Sequence, residues 1–237
     1  MENQNKIYII IPTYNEKNNI GTIIDEIFNL HIDNLNILVV DDNSPDGTGQ
    51  LVDDLKSKYS NLHILHRQGK MGLGTAYVAG FKHALKAGAD LIFEMDADFS
   101  HKPEYIPQFL EKIKSCDLVL GSRYTRGGKI INWNLMRRLI SRFGNIYAQV
   151  ILFLPIKDLT GGFKCYKRQV LESIDINELS SVGYNFQIET TYRAYQKGFK
   201  IKELPITFTE RQIGTSKFEF KIIIESFLKV LFLRFKK

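Results

Sequence analysis

A doubly wound α/β sheet is the fold this sequence predicts. Short, continuously apolar runs alternate with segments of helical period, and the runs end in polar or glycine-rich residues. With 237 residues, 44% hydrophobic and 24% charged, the chain can bury the core of one large domain or one and a half, and it lacks the composition of a disordered protein.

The elements follow in order. "KIYIII" (6–11) reads as a buried strand stopped by Pro12, and no basic region precedes a long apolar one, so no secretory signal is expected. Ile20, Ile23, Ile24, Ile27 and Phe28 recur at helical spacing and predict a helix over 18–30. "NILVVDD" (36–42) is a second strand, 46–59 a second helix, and "LHILH" (62–66) a third strand. A third helix over 72–88 is closed by Gly88. "DLIFEMD" (90–96) is the fourth strand, 102–115 a helix with Pro103 in its first turn, and "DLVLGSR" (117–123) the fifth strand.

After about residue 124 the pattern changes. Residues 132–154 form a long arginine-rich helix, and 159–174 mix a glycine turn, a short strand and a helix. Residues 186–199 are helical, 200–208 form a strand, and 220–237 form a strongly apolar helix. These pieces are expected to complete one sheet. The expected division is a catalytic unit over 1–217 and a C-terminal amphipathic helix over 218–237.

Open parallel sheets bind ligands beyond the carboxyl ends of their strands, where strand order reverses. Here "PTYNE" (12–16), "DDNSPDGT" (41–48), "RQGKMGLG" (67–74), "DADFS" (96–100) and "GSRYTRGG" (121–128) all fall at those ends. A bare D-x-D is most often a solvated turn. Asp96 and Asp98, however, follow a buried strand, where two close carboxylates repel unless a cation joins them. Hard oxygen ligands suit Mg²⁺ or Mn²⁺, and Ser100 or His101 would complete or orient such a site.

The net charge of +6 calls for an anionic partner. Arg123, Arg126, Arg137, Arg138, Arg142, Arg211 and Lys217 lie in or beside predicted loops and helix starts, and guanidinium groups suit phosphate oxygens. Taken singly, each is more often a solvated surface residue. "ERQIGTSK" (210–217) reads as a loop built to close over an anion; "KMGLG" near Lys70 reads equally well as a turn into a helix. Basic residues are not interleaved with aromatics in one tract, so nucleic acid is not the expected partner. Cys116 and Cys165 sit in no metal spacing and are expected to be reduced.

"IPTYNE", "VVDDNSPDGT", "DAD" and "GSRY" together resemble family-2 glycosyltransferases with the nucleotide-sugar-binding, Rossmann-like fold called GT-A: a mostly parallel sheet with helices on both faces. "NWNLMRRLISRFGN" (132–145), "DLTGGFKCYKR" (158–168), "SVGYNFQIE" (181–189) and "ERQIGTSK" resemble dolichyl- or polyprenyl-phosphate mannose synthases, so the likeness runs over about residues 6–217. The resemblance implies inverting transfer of mannose from GDP-mannose to a dolichyl or polyprenyl phosphate. It implies that Pro12, Tyr14, Glu16, Val39 and Asp41 line the guanosine site, and that Asp96 and Ala97 touch the nucleotide. Asp98 would be the main metal ligand, supported by Ser100 where relatives often carry Gln. Arg123, Arg137, Arg211 and Lys217 would bind donor and acceptor phosphates, with Arg123 and Arg137 on the acceptor. Gln187 and Glu189 would face the sugar.

A phosphate monoester is already largely anionic at neutral pH, so this chemistry needs no dedicated general base, and none stands out. In the tail, Lys221, Glu225 and Lys229 form one stripe on an otherwise apolar helix, too short and too charged to span a bilayer. It is expected to pack on the protein body, lie in a membrane interface, or dock on a small membrane-anchoring subunit. The resemblance is to the short form of the enzyme, which works at the cytoplasmic side of a membrane. Two rival readings stand beside it: a related transferase using UDP-glucose or another donor, or a saccharide acceptor, and a receiver-like signalling module, which "ILVVDDNSPD" mimics.

Overall fold

β-branched residues fill the first strand, and their two faces go to two different cores. The computed structural model of the chain describes residues 5–179, 183–210 and 220–235. In β1 (Ile7–Thr13), Ile7, Ile9 and Ile11 enter one apolar cluster, while Tyr8 and Ile10 enter the other on the opposite side of the sheet. A strand buried on both faces needs apolar residues throughout, and its helices must lie on both sides.

The chain continues through α1 (Lys17–Phe28), β2 (Leu35–Asp41), α2 (Thr48–Leu55), β3 (Leu62–His66), α3 (Leu73–Lys86) and β4 (Leu91–Glu94). A short 3₁₀ turn at Pro103–Tyr105 leads into α4 (Ile106–Ile113), followed by β5 (Leu118–Ser122), β6 (Lys129–Ile131) and α5 (Leu135–Leu152). Then come β7 (Lys164–Lys167), α6 (Arg168–Ser173), α7 (Tyr184–Gln196), β8 (Ile201–Pro205), β9 (Thr207–Thr209) and α8 (Phe220–Phe235).

Seven strands form the main sheet in the order β3-β2-β1-β4-β7-β5-β8. Strand order reverses between β1 and β4, so the crevice expected to bind a ligand opens beyond Thr13 and Glu94. Gly80 of α3 lets that helix press onto β1, because a Cβ there would collide with Ile10.

The sheet is mostly parallel, as expected, with β7 running antiparallel between β4 and β5. One expectation needs correction. The single strand expected over 200–208 is two strands. β8 ends at Pro205, which has no amide hydrogen to donate. Ile206 then donates its N–H to Ser122 while its carbonyl accepts from Lys129, handing the chain from the main sheet to a small parallel pair of β9 with β6. The Lys129–Ile131 strand has too little apolar pattern to be seen in the sequence.

The C-terminal helix buries Val230 and Leu233, and the Tyr147 hydroxyl of α5 donates to the Phe227 carbonyl at 3.1 Å. It therefore packs on the body, as one of the three expectations held.

Candidate active site

The acidic strand end is held by its own neighbours. Ser100 donates to Asp98 Oδ1 twice, through its backbone N–H at 3.1 Å and its hydroxyl at 2.5 Å. Phe99 between them sits at φ 60°, a left-handed conformation costing a bulky residue roughly 1–2 kcal/mol. The Asp96 N–H donates to His101 Nδ1 at 3.1 Å, which leaves the imidazole proton on Nε2. Tyr77 donates its hydroxyl to Asp96 Oδ1 at 3.1 Å. His101 is itself enclosed, stacked on Phe163 at 5.1 Å.

Beneath this loop lies a buried charged network. Glu94, fully enclosed, accepts from the Tyr166 hydroxyl at 2.8 Å and faces Lys164 across the β4–β7 pair. Lys164 donates to the Gln187 carbonyl at 2.7 Å and to the Thr190 and Thr191 hydroxyls at 3.0 Å each. Burial lowers the Lys164 amine to about 8, against the pull of Glu94 and Asp158. Burial raises the Glu94 carboxyl, opposed by Lys164, Tyr166 and the Gln187 side chain. The Gln187 amide influences Glu94 without reaching it: Glu94 Oε2 and both polar atoms of the Gln187 side chain lack a partner at hydrogen-bond length. A Cβ at Gly162 would lie 3.5 Å from Asp96 Oδ2 and 3.6 Å from Gln187 Nε2. The missing side chain thus opens space between the acidic loop and a buried, unsatisfied amide.

The other wall comes from the first two strand ends. Thr13 and Ser44 donate to Asp41 Oδ1 at 2.9 and 2.6 Å, and the Ser44 N–H to Oδ2 at 3.0 Å, so Asp41 ties β1 to the loop after β2. Glu16 is nearly buried and accepts from Asn19 at 2.8 Å. Asp46 accepts from Thr48 and the Lys17 N–H; burial alone would raise its carboxyl, but these bonds hold it below the usual range. Tyr14 is exposed at the rim, with the Lys70 amine 4.2 Å from its ring centre. Pro12 is half-buried. The Val39 and Ala97 side chains are enclosed in the apolar core, so a ligand contact from either position would run through its backbone.

The arginines divide. Arg123 is enclosed and forks onto the buried Asp158, Nε to Oδ2 at 2.7 Å and Nη2 to Oδ1 at 2.6 Å, with Nη2 also on Thr160 at 2.8 Å. Expected on the acceptor phosphate, it instead anchors the 158–160 turn, because a carboxylate at that depth requires a paired cation. Arg137 lies 4.3 Å over the Trp133 ring and pairs with Glu210 at 2.6 Å near the surface. Phe208 links the two charge centres: its ring meets His101 at 5.7 Å and Trp133 at 5.4 Å. Arg137 also opens α5, whose start is capped by Asn134 accepting from the Arg137 N–H at 2.8 Å. A helix N-terminus favours an anion. Arg211 and Lys217 lie outside the described residues. Glu189, expected to face the sugar, is fully buried and bound to Arg193 on its own helix at 2.7 Å.

Residues 8–175 match the family described as glycosyl transferase family 2. The chain belongs to glycosyl transferase family 2. It is 45% identical over 224 residues to a polyprenol monophosphomannose synthase of Mycolicibacterium smegmatis, covering 94% of this chain and 84% of the relative. It is 42% identical over 225 residues to an undecaprenyl-phosphate mannosyltransferase of Micrococcus luteus, covering 95% and 92%. Among solved structures, glucosyl-3-phosphoglycerate synthase of Mycobacterium tuberculosis in complex with Mn²⁺, UDP and glucosyl-3-phosphoglycerate aligns over 97% of this chain and 80% of its own, with a TM-score of 0.69 at 18% identity. A mannosyltransferase of Pyrobaculum calidifontis in complex with GDP-Man and Mn²⁺ aligns over 98% and 74%, with a TM-score of 0.62 at 16% identity. These likenesses establish the GT-A fold, and the family establishes a glycosyltransferase. The receiver-like reading falls with that assignment.

The acidic loop fits a divalent ion of a particular kind. Among the described residues no group of three or more His, Cys, Asp or Glu side chains forms a cage. One or two carboxylates at a strand end instead suit a hard cation shared with a ligand's phosphates. Asp98 presents its carboxylate at this strand end, and Ser100, donating to Oδ1, fixes its orientation. Sequence reasoning missed Glu94, Lys164, Tyr77 and Asp158. The signal for the first two was present: a Glu in "LIFEMD" and a Lys in "GGFKCYK" interrupt otherwise apolar strands.

Proposed function

We propose that this glycosyltransferase moves mannose from GDP-mannose to a polyprenyl or dolichyl monophosphate with inversion at the sugar carbon. The near full-length similarity to two enzymes named for mannose and polyprenyl phosphate carries the reading. The C1–O bond to the nucleoside diphosphate breaks, a C1–O bond to the acceptor phosphate forms, and GDP leaves. Asp98 would hold Mg²⁺ or Mn²⁺, which when bound would supply counter-charge for the leaving group.

The protein's own residues do the rest. Asp96, fixed by Tyr77 and His101, and the loop tied by Asp41 form the walls of the donor crevice. Tyr14 and Glu16 stand at its guanosine side, and the unsatisfied Gln187 amide faces the sugar across Gly162. Arg137 exchanges Glu210 for the acceptor phosphate, so that two anions can meet. Arg211 and Lys217 would add counter-charge to the two phosphates. The acceptor is already ionised, with a second pKa of about 6, so no side chain need remove a proton.

The test uses the full chain, a short-chain polyprenyl phosphate in detergent, Mg²⁺ or Mn²⁺, and a panel of GDP-mannose, UDP-glucose and other sugar nucleotides. The expected product is the polyprenyl-phosphate mannose alone, with the anomeric configuration inverted by NMR. Preferred transfer of glucose, or transfer to a saccharide in place of the lipid phosphate, would overturn the reading.

A further inference from the structure

We propose that α5 and α8 together form the face by which the protein seats on an anionic membrane surface. On α5, Leu135, Leu139, Phe143, Ile146 and Val150, with Phe153 just past its end, recur at intervals of three and four and are 46–72% exposed. At 100° per residue they fall within an arc of about 80°, with exposed Met136 beside them, roughly opposite the buried Asn145, Ala148 and Leu152. On α8, Leu228, Leu231, Phe232 and Phe235 make a second exposed stripe, opposite the buried Val230 and Leu233.

The stripes belong to neighbouring helices. Phe227 packs against Phe143 at 5.8 Å and Tyr147 at 4.5 Å between ring centres, and Arg234 lies 5.1 Å from the Phe153 ring centre. Single exposed apolar residues are ordinary; two aligned stripes on adjoining helices mark an interaction surface. Each helix keeps its inner face on the protein and turns an equally apolar face outward.

Charge decides the occupant. Between residues 135 and 153 the only charged side chains are Arg137, Arg138 and Arg142; between 227 and 235 they are Lys229 and Arg234. Arg138 and Arg142 are exposed along one flank of the α5 stripe. A second copy pairing through this face would set these cations against their own equivalents with no carboxylate from either stretch to meet them. A membrane interface takes the apolar stripes below the head groups and offers the cations phosphates above. None of the described helices is long and apolar enough to cross a membrane, so this seating is in the plane of the surface. It also places the start of α5, where Arg137 stands, at the lipid boundary. The proposal deepens the polyprenyl-phosphate reading by giving the lipid a side from which to enter, yet its observations and its test do not need that reaction.

The experiment is co-sedimentation of the full chain with phosphatidylcholine vesicles, with and without phosphatidylglycerol. The wild type should bind the anionic vesicles and lose that binding in high salt. The double variant F143D/V150D should bind at least about tenfold more weakly, since it sets two carboxylates where apolar side chains would be buried below the head groups. Its circular dichroism, and its sugar transfer to a short acceptor in detergent, should match the wild type. Equal vesicle binding by wild type and variant overturns the proposal. So does equal wild-type binding to neutral vesicles, or a stable dimer by light scattering that the variant dissociates. Absence of sugar transfer by both proteins alongside the predicted vesicle result would sink the reaction and leave the surface standing.

Discussion

The acidic end of β4 and the arginine-rich start of α5 carry opposite charge and are built in opposite ways. Asp96 and Asp98 stand above a layer in which Glu94, Lys164 and Tyr166 are fully enclosed and joined by hydrogen bonds. Arg137 rests on one aromatic ring and holds Glu210, itself 37% exposed, near the surface. Arg123, only 14 residues earlier in sequence, is built like the acidic end, locked onto buried Asp158. One set of charges is buried among hydrogen-bonding partners that fix its geometry; the Arg137 pair sits near the surface, where exchanging a partner costs little.

Breaking the buried layer should have the largest effect. Lys164→Met leaves Glu94 enclosed without its cation and should lower stability by about 3–5 kcal/mol, read as a large fall in melting temperature; Lys164→Met with Glu94→Gln should recover most of it. Arg123→Met should behave similarly through Asp158, its cost appearing in stability. Asp98→Asn should fold normally and lose roughly 10²–10³-fold in kcat, because the counter-charge to the leaving group is lost. Arg137→Ala sharpens the contrast with Arg123. Its surface pair is worth about 0–1 kcal/mol, so melting should barely move, while KM for the lipid phosphate rises about tenfold. Gln187→Leu removes an amide whose polar atoms satisfy nothing within the protein, so stability should hold or rise while transfer slows. The smallest effect is in pH. The Lys164 amine titrates at about 8 in the folded protein, below its ordinary 10.5. Between those values the unfolded chain binds more protons, so wild-type stability should rise with pH there relative to Lys164→Met, and the difference should be flat below about pH 8.

Much of the fold was legible because its first half is repetitive. Each apolar run became a parallel strand, since two-sided burial leaves no room for polar alternation. The antiparallel β7 was not legible: direction depends on how the chain returns through 153–163, where no local pattern records it. The acidic loop stood out in the sequence because two close carboxylates directly after a buried strand repel unless something joins them. Arg123 and Arg137 could not be told apart, because a guanidinium buried on Asp158 and one stacked on Trp133 are the same letter in similar surroundings. That the Val39 and Ala97 side chains belong to the core was equally hidden: small apolar residues at a strand end serve core and crevice alike. The exposed stripe of α5 was hidden by its arginines, which suggest a solvated helix until the packed face is known.

The most direct test of the account is a titration of Mn²⁺ into the protein with GDP present, followed by electron paramagnetic resonance. The wild type should bind a single ion per chain far more tightly with GDP than without, and Asp98→Asn should lose that gain. Equal GDP-dependent binding by the variant, or binding indifferent to GDP, would contradict a cation shared between this carboxylate and the departing diphosphate.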